Sequence, residues 1–146
     1  MPTPDAVTKD QILEVYPKVA ETIADAVGSD LDKVTLTTPL IEDLGAESID
    51  VLDIVFRLER LFKVKIPRGR IVEDARGNLS ESEFEQNGYL TDVGLKHLQE
   101  YLSEVPIERF GSPMKVRDVP RLFTVETFCK LVVRAQKLSV QPSHGS

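Results

Sequence analysis

Residues 48–62, Ser-Ile-Asp-Val-Leu-Asp-Ile-Val-Phe-Arg-Leu-Glu-Arg-Leu-Phe, restrict the fold of this chain more than any other stretch. On a 3.6-residue wheel, Asp50, Asp53, Arg57 and Arg60 share one narrow stripe. Ile49, Val51, Leu52, Ile54, Val55, Phe56, Leu58, Leu61 and Phe62 cover most of the remaining circumference. A helix of this kind is either buried on nearly all sides or shows apolar residues to a partner. The spacing predicts a helix from about Ser48 to Phe62, ended by Pro67, with Arg68-Gly69-Arg70 turning the chain.

The other elements follow from caps and periodicity. Thr8 is placed to cap a first helix carrying Ile12, Tyr16, Val19, Ala20, Ile23 and Val27, and Gly28 stops it. Pro17 interrupts that pattern, so a kink or a late start near Tyr16 is expected. A long loop through Val34, Leu36, Leu40, Ile41 and Leu44 has enough apolar anchors to be pinned across a helical bundle. Ser80-Glu81-Ser82-Glu83 reads as a capping box for a short helix closed by Asn87-Gly88. A further helix, capped by Thr91, carries Leu95, Leu98 and Leu102 and stops before Pro106. Gly111-Ser112-Pro113 is loop, and the last helix starts after Thr124, with Val125, Phe128, Leu131, Val132 and Ala135 toward the core. Val140–Ser146 reads as a disordered tail. There is no internal repeat, and no strand pattern beyond short pieces such as Val64-Lys65-Ile66.

A chain of 146 residues is long enough for one domain with a core and too short for two ordinary ones. Its 41% apolar and 29% charged content is that of a soluble globular protein rather than a disordered one. No apolar run reaches membrane-spanning length, and Met1-Pro2-Thr3-Pro4-Asp5 has neither the basic start nor the greasy stretch of a signal peptide. The expectation is a cytoplasmic protein with no membrane insertion. The single cysteine, Cys129, leaves no internal disulfide and no thiolate cluster for a metal, and its apolar neighbours suggest a buried small hydrophobe. Net charge is −6, unevenly spread. Between Gly28 and Asp53, Asp30, Asp32, Glu42, Asp43, Glu47, Asp50 and Asp53 face only Lys33. From Arg121 onward the balance reverses, with Arg121, Lys130, Arg134 and Lys137 against Glu126. An acidic surface of this kind disfavours nucleic acid and favours basic protein patches.

Within the acidic stretch, Asp43-Leu44-Gly45-Ala46-Glu47-Ser48-Ile49-Asp50 sets one serine at the start of the apolar helix. A serine there is most often only an N-cap. Three features argue for more: the small pair Gly45-Ala46 leaves room for another protein's active site, acids flank the hydroxyl, and the following helix is apolar almost all round. A phosphodiester on Ser48 would sit at the positive end of the helix dipole, which favours it by roughly 0.3–1 kcal/mol. A catalytic role is disfavoured. The only histidines are His97 and His144, far along the chain, and Gly45-Ala46-Glu47-Ser48-Ile49 lacks the closing glycine of a nucleophile elbow. No catalytic residue is assigned. No metal site is expected either, because His97 has no second histidine or acid pair at metal spacing and reads as a surface residue.

The Asp43–Asp50 run, followed by Val55, Leu58, Glu59, Phe62 and Ile66-Pro67, resembles the acyl carrier protein signature, usually written Asp-Leu-Gly-Ala-Asp-Ser-Leu-Asp. The likeness extends upstream through Val27-Gly28 and Asp32-Lys33-Val34-Thr35 and resumes at Phe123-Thr124-Val125-Glu126-Thr127. It thus covers about Thr8 to Pro67 and Val119 to Leu138. The resemblance implies an all-α fold, a four-helix carrier bundle that catalyses nothing, with an added helical insertion over residues 68–118 between its second and last helices. It also implies a 4′-phosphopantetheine arm on Ser48, installed by a phosphopantetheinyl transferase. The arm's thiol would hold acyl groups as thioesters for acyl-loading, acyl-modifying and acyl-transfer enzymes of a fatty-acid, lipid or polyketide-like pathway. In family terms the helix from Ser48 is the main recognition surface, so Asp43, Glu47, Ile49, Asp50, Asp53, Ile54 and Arg57 become candidates for meeting basic docking patches.

The sequence departs from the pattern at three places. Glu47 stands where aspartate is usual, Arg57 and Arg60 add positive charge to a usually acidic helix, and residues 68–118 occupy the place of a short loop and third helix. The insertion's apolar residues, Phe84, Tyr89, Leu90, Leu95, Leu98, Leu102, Val105, Ile107 and Phe110, either enlarge the core or form a recognition or dimerisation surface. Oligomeric state stays open. The alternatives are a peptidyl or aryl carrier, which usually shows Gly-Gly-His/Asp-Ser, and a carrier fold with an unmodified serine acting only as an interaction module.

Overall fold

In the computed structural model, which describes residues 7–66, 70–111 and 113–139, Thr8 caps helix α1 (Lys9–Val27). The Thr8 hydroxyl accepts the Gln11 N–H at 3.2 Å, and the Gln11 side chain accepts the Thr8 N–H at 3.0 Å. The side chains of Ser48, Arg70, Ile71, Leu138 and Ser139 fall outside that description. α1 does not wait for Tyr16: it runs unbroken through Pro17, contrary to the late start expected. Leu13 and Pro17 lie on the exposed face, so the carbonyl that proline leaves without a partner is open to water. The opposite face, Ile12, Val15, Val19, Ala20, Ile23 and Ala24, is buried.

The expected loop is partly structured. After a 3-10 turn at Leu31–Lys33 it forms a short helix, α2 (Leu40–Leu44), followed by α3 (Ser48–Phe62) at the bounds expected. α3 packs against α1 and against the last helix, which is counted below as α7. The stretch from Val64 to Ile66 forms no strand, and the proposed stop at Pro67 lies outside the described residues.

Residues 70–122 hold more structure than the sequence suggested. α4 (Arg70–Arg76) precedes α5 (Glu81–Phe84), and Ser80 caps α5 through the expected box with Glu83. Asn87-Gly88 does not close that helix. It forms the turn of a hairpin between β1 (Glu85–Gln86) and β2 (Tyr89–Leu90), with φ of 56° and 84° as a primed turn requires. The chain returns beside β2, where Leu90 N–H donates to Met114 C=O and Val116 N–H to Gly88 C=O, each at 2.9 Å. The fold is mostly helical, as the all-α expectation has it, with one small hairpin added.

α6 (Asp92–Tyr101), capped by Thr91, leans on α4 and α5. Its Gly94 is required: a Cβ there would stand 2.1 Å from the Phe84 carbonyl oxygen. Two more 3-10 turns, Ile107–Arg109 and Val116–Leu122, lead into α7 (Val125–Ser139). The proposed tail, 140–146, lies outside the described residues.

α7 is the most enclosed helix. Val125, Phe128, Cys129, Leu131, Val132, Val133 and Ala135 are all buried, and so are Thr127 and Lys130. α1 and α3 cover one side, while the insertion supplies Phe84, Leu98, Leu102 and Val105 to the same continuous core. Core enlargement is what most of the insertion's apolar residues do; Tyr89 and Ile107 remain exposed.

One ion pair fixes the join. Glu104, with its side chain 1% exposed, meets Lys130 Nζ at 2.6 Å and accepts the Thr127 hydroxyl at 2.6 Å, while Lys130 also donates to Ser103 Oγ. Arg134 stacks 4.4 Å from the Tyr101 ring centroid one turn further along. Removing one partner of such a pair strands a buried charge. Glu104→Ala is expected to lower unfolding free energy by about 3–5 kcal/mol in urea titrations, whereas the Glu104→Leu, Lys130→Met double variant should be far less damaging.

Candidate functional site

The segment that leads to Ser48 is tied down before it arrives there. Leu40 N–H donates to Phe123 C=O at 3.1 Å, Val125 N–H to Thr38 C=O at 3.1 Å, and Glu126 N–H to Leu36 C=O at 3.0 Å. The loop therefore crosses the first turn of α7 as a short antiparallel ladder, with Pro39 opposite Thr124. Leu40 is fully buried and anchors α2.

At the end of α2 the chain reverses through Gly45, whose φ of +71° lies in the left-handed region. Nothing lies within 4 Å of the position a Cβ would take there, so the reversal is open on its outer side. Ala46 turns inward, and its N–H donates to Leu40 C=O at 3.1 Å. Glu47 is the N-cap of α3: its backbone is extended, its carbonyl accepts the Val51 N–H at 3.1 Å, and its N–H donates to the Asp50 carboxylate at 2.9 Å. Ser48 is the first residue inside the helix. The capping role sits one residue earlier than the serine, and Asp50 reaches back to complete it.

The candidate recognition residues divide into three groups. Asp43, Glu47 and Ile49 are exposed, Ile49 to 70%. Asp50 is engaged in the cap, and Asp53 and Arg57 pair with each other at 3.0 Å along the half-exposed flank of α3. Ile54 is fully buried beside Leu58 and belongs to the core, so its placement on a recognition surface is corrected. Phe56 and Leu61 are exposed instead. A wheel on which nearly every position is apolar carries no signal that separates them from Ile54.

Cys129 is buried, and loss of solvation, helped by the negative charge of Glu126, pushes its thiol up to about 12. His97 is half-buried, with Nδ1 3.3 Å from the Ala75 carbonyl oxygen between α4 and α6, rather than a free surface residue. His144 lies outside the described residues. Among the described residues no group of His, Cys, Asp and Glu could hold a metal ion, and no helix is long and apolar enough to cross a membrane. Arg117 and Arg121, which sequence reasoning passed over as site residues, line a groove together with Ala46 and Glu47.

A serine at the first position of a helix whose cap is supplied by Glu47 and Asp50, three residues after a reversal at Gly45 that is open on its outer side, is suited to carrying a group added by another protein. A family model described as the phosphopantetheine attachment site matches residues 17–76. The acyl carrier protein of Bdellovibrio bacteriovorus is 38% identical over 55 residues, which is 38% of this chain and 70% of that protein. This chain belongs to the acyl carrier protein family. Acyl carrier protein AcpXL of Mesorhizobium japonicum is 44% identical over 52 residues, 36% of this chain and 56% of that protein, and AcpXL of Brucella melitensis matches to the same extent. The chain thus spans little more than half the length of the AcpXL relatives. No solved structure matches it. Family membership brings with it a covalent 4′-phosphopantetheine and an acyl-carrier-like helical bundle.

Since Asp50 and Glu47 cap α3, Asp50→Ala should cost about 1 kcal/mol of unfolding free energy. Ser48→Ala should stay within about 0.5 kcal/mol of wild type. Parallel thermal or urea unfolding of the two variants checks the assignment; equal losses would return the serine to the role of cap.

Proposed function

We propose that this chain is an acyl carrier protein whose Ser48 bears the 4′-phosphopantetheine arm. The arm's thiol holds acyl intermediates as thioesters and presents them to enzymes of a fatty-acid, lipid or polyketide-like pathway. The observation that carries the reading is the position of Ser48 as the first residue of α3, behind a cap supplied by Glu47 and Asp50. Exposed neighbours at Glu47 and Ile49, and the open side of Gly45, leave approach for a phosphopantetheinyl transferase. The α3 N-terminus favours the phosphodiester anion that modification adds. The chain itself catalyses nothing in this reading; it holds the serine at a fixed helix start.

Partner recognition falls to Asp43, Glu47, Ile49, Asp53 and Arg57, with Phe56 and Leu61 as apolar neighbours on the same helix or its approach. Exposed acids speed encounter with basic patches, and exposed apolar side chains hold the complex once formed. The relatives' names, all acyl carriers, support this class over peptidyl or aryl carriers. A cytoplasmic setting accords with the reading.

Co-expression with a broad-specificity phosphopantetheinyl transferase should add the mass of one phosphopantetheine to the wild type and nothing to Ser48→Ala. Because Cys129 is buried with its thiol pushed up to about 12, the folded apo-protein should show no thiol to a chromogenic disulfide at pH 8, and the modified protein one. An unmodified interaction module would show neither change. With a cognate partner in hand, the Asp43→Lys, Glu47→Lys variant should associate more slowly at low salt, with the difference fading as salt rises.

A further inference from the structure

Where the insertion returns to the bundle, the 3-10 turn Val116–Leu122 lies against the α2–α3 connection, and the two enclose a trough that begins one residue from Ser48. The near compartment holds about 540 Å³ and is lined by Ala46, Glu47, Arg117, Asp118 and Arg121, with Ile41 and Pro120 as its apolar floor. The far compartment holds about 470 Å³, shares Asp118 and Arg121 with the first, and reaches Tyr89, Arg109, Met114 and Lys115. Both volumes fall within the range of about 300–1,000 Å³ usual for small-molecule pockets. The walls carry the bases Arg109, Lys115, Arg117 and Arg121 against the acids Glu42, Glu47 and Asp118, so the trough is mildly cationic within an otherwise acidic region.

Most of those bases are already engaged. Arg121 stands 4.0 Å from Glu42, Arg109 donates to the Arg121 carbonyl at 2.9 Å, and Lys115 lies 6.0 Å from the Tyr89 ring centroid. The exposed Arg117 side chain has no ion pair or hydrogen bond among the described residues. It lines the compartment that starts beside the serine.

On the reading that Ser48 carries the arm, we infer that this trough is the arm's resting seat, with Arg117 and Arg121 facing the phosphodiester. The trough's mixed walls meet the hydroxyl and amide groups of the pantetheine. A bare alkyl chain would gain little from them, whereas amides and hydroxyls find donors, acceptors and a cationic rim. Tethering makes even weak affinity sufficient. A flexible chain anchored at the mouth has an effective concentration on the order of millimolar, so a Kd of about 1 mM seats the arm roughly half the time. Seating of that strength still releases the arm readily to a partner enzyme.

The test compares amide spectra of the full-length ¹⁵N-labelled protein before and after modification. Seating should shift the amides of Ile41, Arg117, Asp118 and Arg121 in addition to those around residue 48. In the Arg117→Gln, Arg121→Gln variant, which should still gain the arm's mass, the shifts at 117–121 should vanish. Alkylation of the arm's thiol by iodoacetamide should rise about twofold, as expected when a half-seated arm is set free. Cys129 is silent in that assay because it is buried. Shifts confined to residues 46–52 in a fully modified wild type would overturn the seat and leave the attachment reading standing. Absence of the mass gain would overturn both.

Discussion

The first turn of α7 is the point on which the other parts of this molecule are set. Its backbone bonds to Leu36 and Thr38, with the Leu40 bond to Phe123 just before it, hold the loop that leads into α2 and on to Ser48. Within the same turn, Thr124 and Thr127 are buried and bonded to each other, and the Thr127 hydroxyl continues to Glu104, which holds Lys130. One turn of helix thus registers the attachment loop on one side and the insertion on the other. Buried polar groups joined into one satisfied chain specify a single arrangement more sharply than apolar packing does.

The charge pattern follows from the same architecture. The excess of bases from Arg121 onward looks like a positive surface in the sequence, yet in the fold much of it has partners within the chain. Lys130 lies buried against Glu104, Arg134 lies over Tyr101, and Arg121 approaches Glu42. Among the described residues, the exposed Arg117 side chain has no ion pair or hydrogen bond, and it lines a groove with the α3 cap residue Glu47 and with Asp118. The acidic approach to α3 is therefore kept as an electrostatic feature, with one local cationic edge contributed by the insertion.

Local signals made a good part of this legible in advance. Thr8 and Gly28 bound α1, Ser80 and Thr91 start their helices, and the 48–62 run forms α3 at the expected ends, because caps and periodicity act over a few residues. α2 and α4 escaped notice: they are short, and α2 starts after a proline with no side-chain cap. Asn87-Gly88 was legible as punctuation, but only its pairing with the returning chain at Met114–Val116 decides that it turns a hairpin. The serine's position was clear, while the cap one residue earlier depends on Asp50 reaching back, a geometric detail that composition does not show. Arg117 and Arg121 reach the site because the 3-10 turn Val116–Leu122 lies against α2, a contact distant in sequence and invisible to any periodicity.

The insertion also explains why α3 can keep apolar side chains in water. Burying a large apolar side chain is worth about 1.5–3 kcal/mol, and Ile49, Phe56 and Leu61 together forgo much of that. A small bundle would ordinarily draw such residues inward. Here the insertion covers the far side of α7, adding Phe84, Leu98, Leu102 and Val105 to the core, so the central helix is enclosed without help from the outer face of α3. Among the described side chains of α3, Ile54 and Leu58 are fully buried, and Val51, Val55 and Phe62 are partly buried against the same core. Stability and presentation are thereby separated in space: the enlarged half of the protein secures the fold, and Ile49, Phe56 and Leu61 of α3 are left exposed.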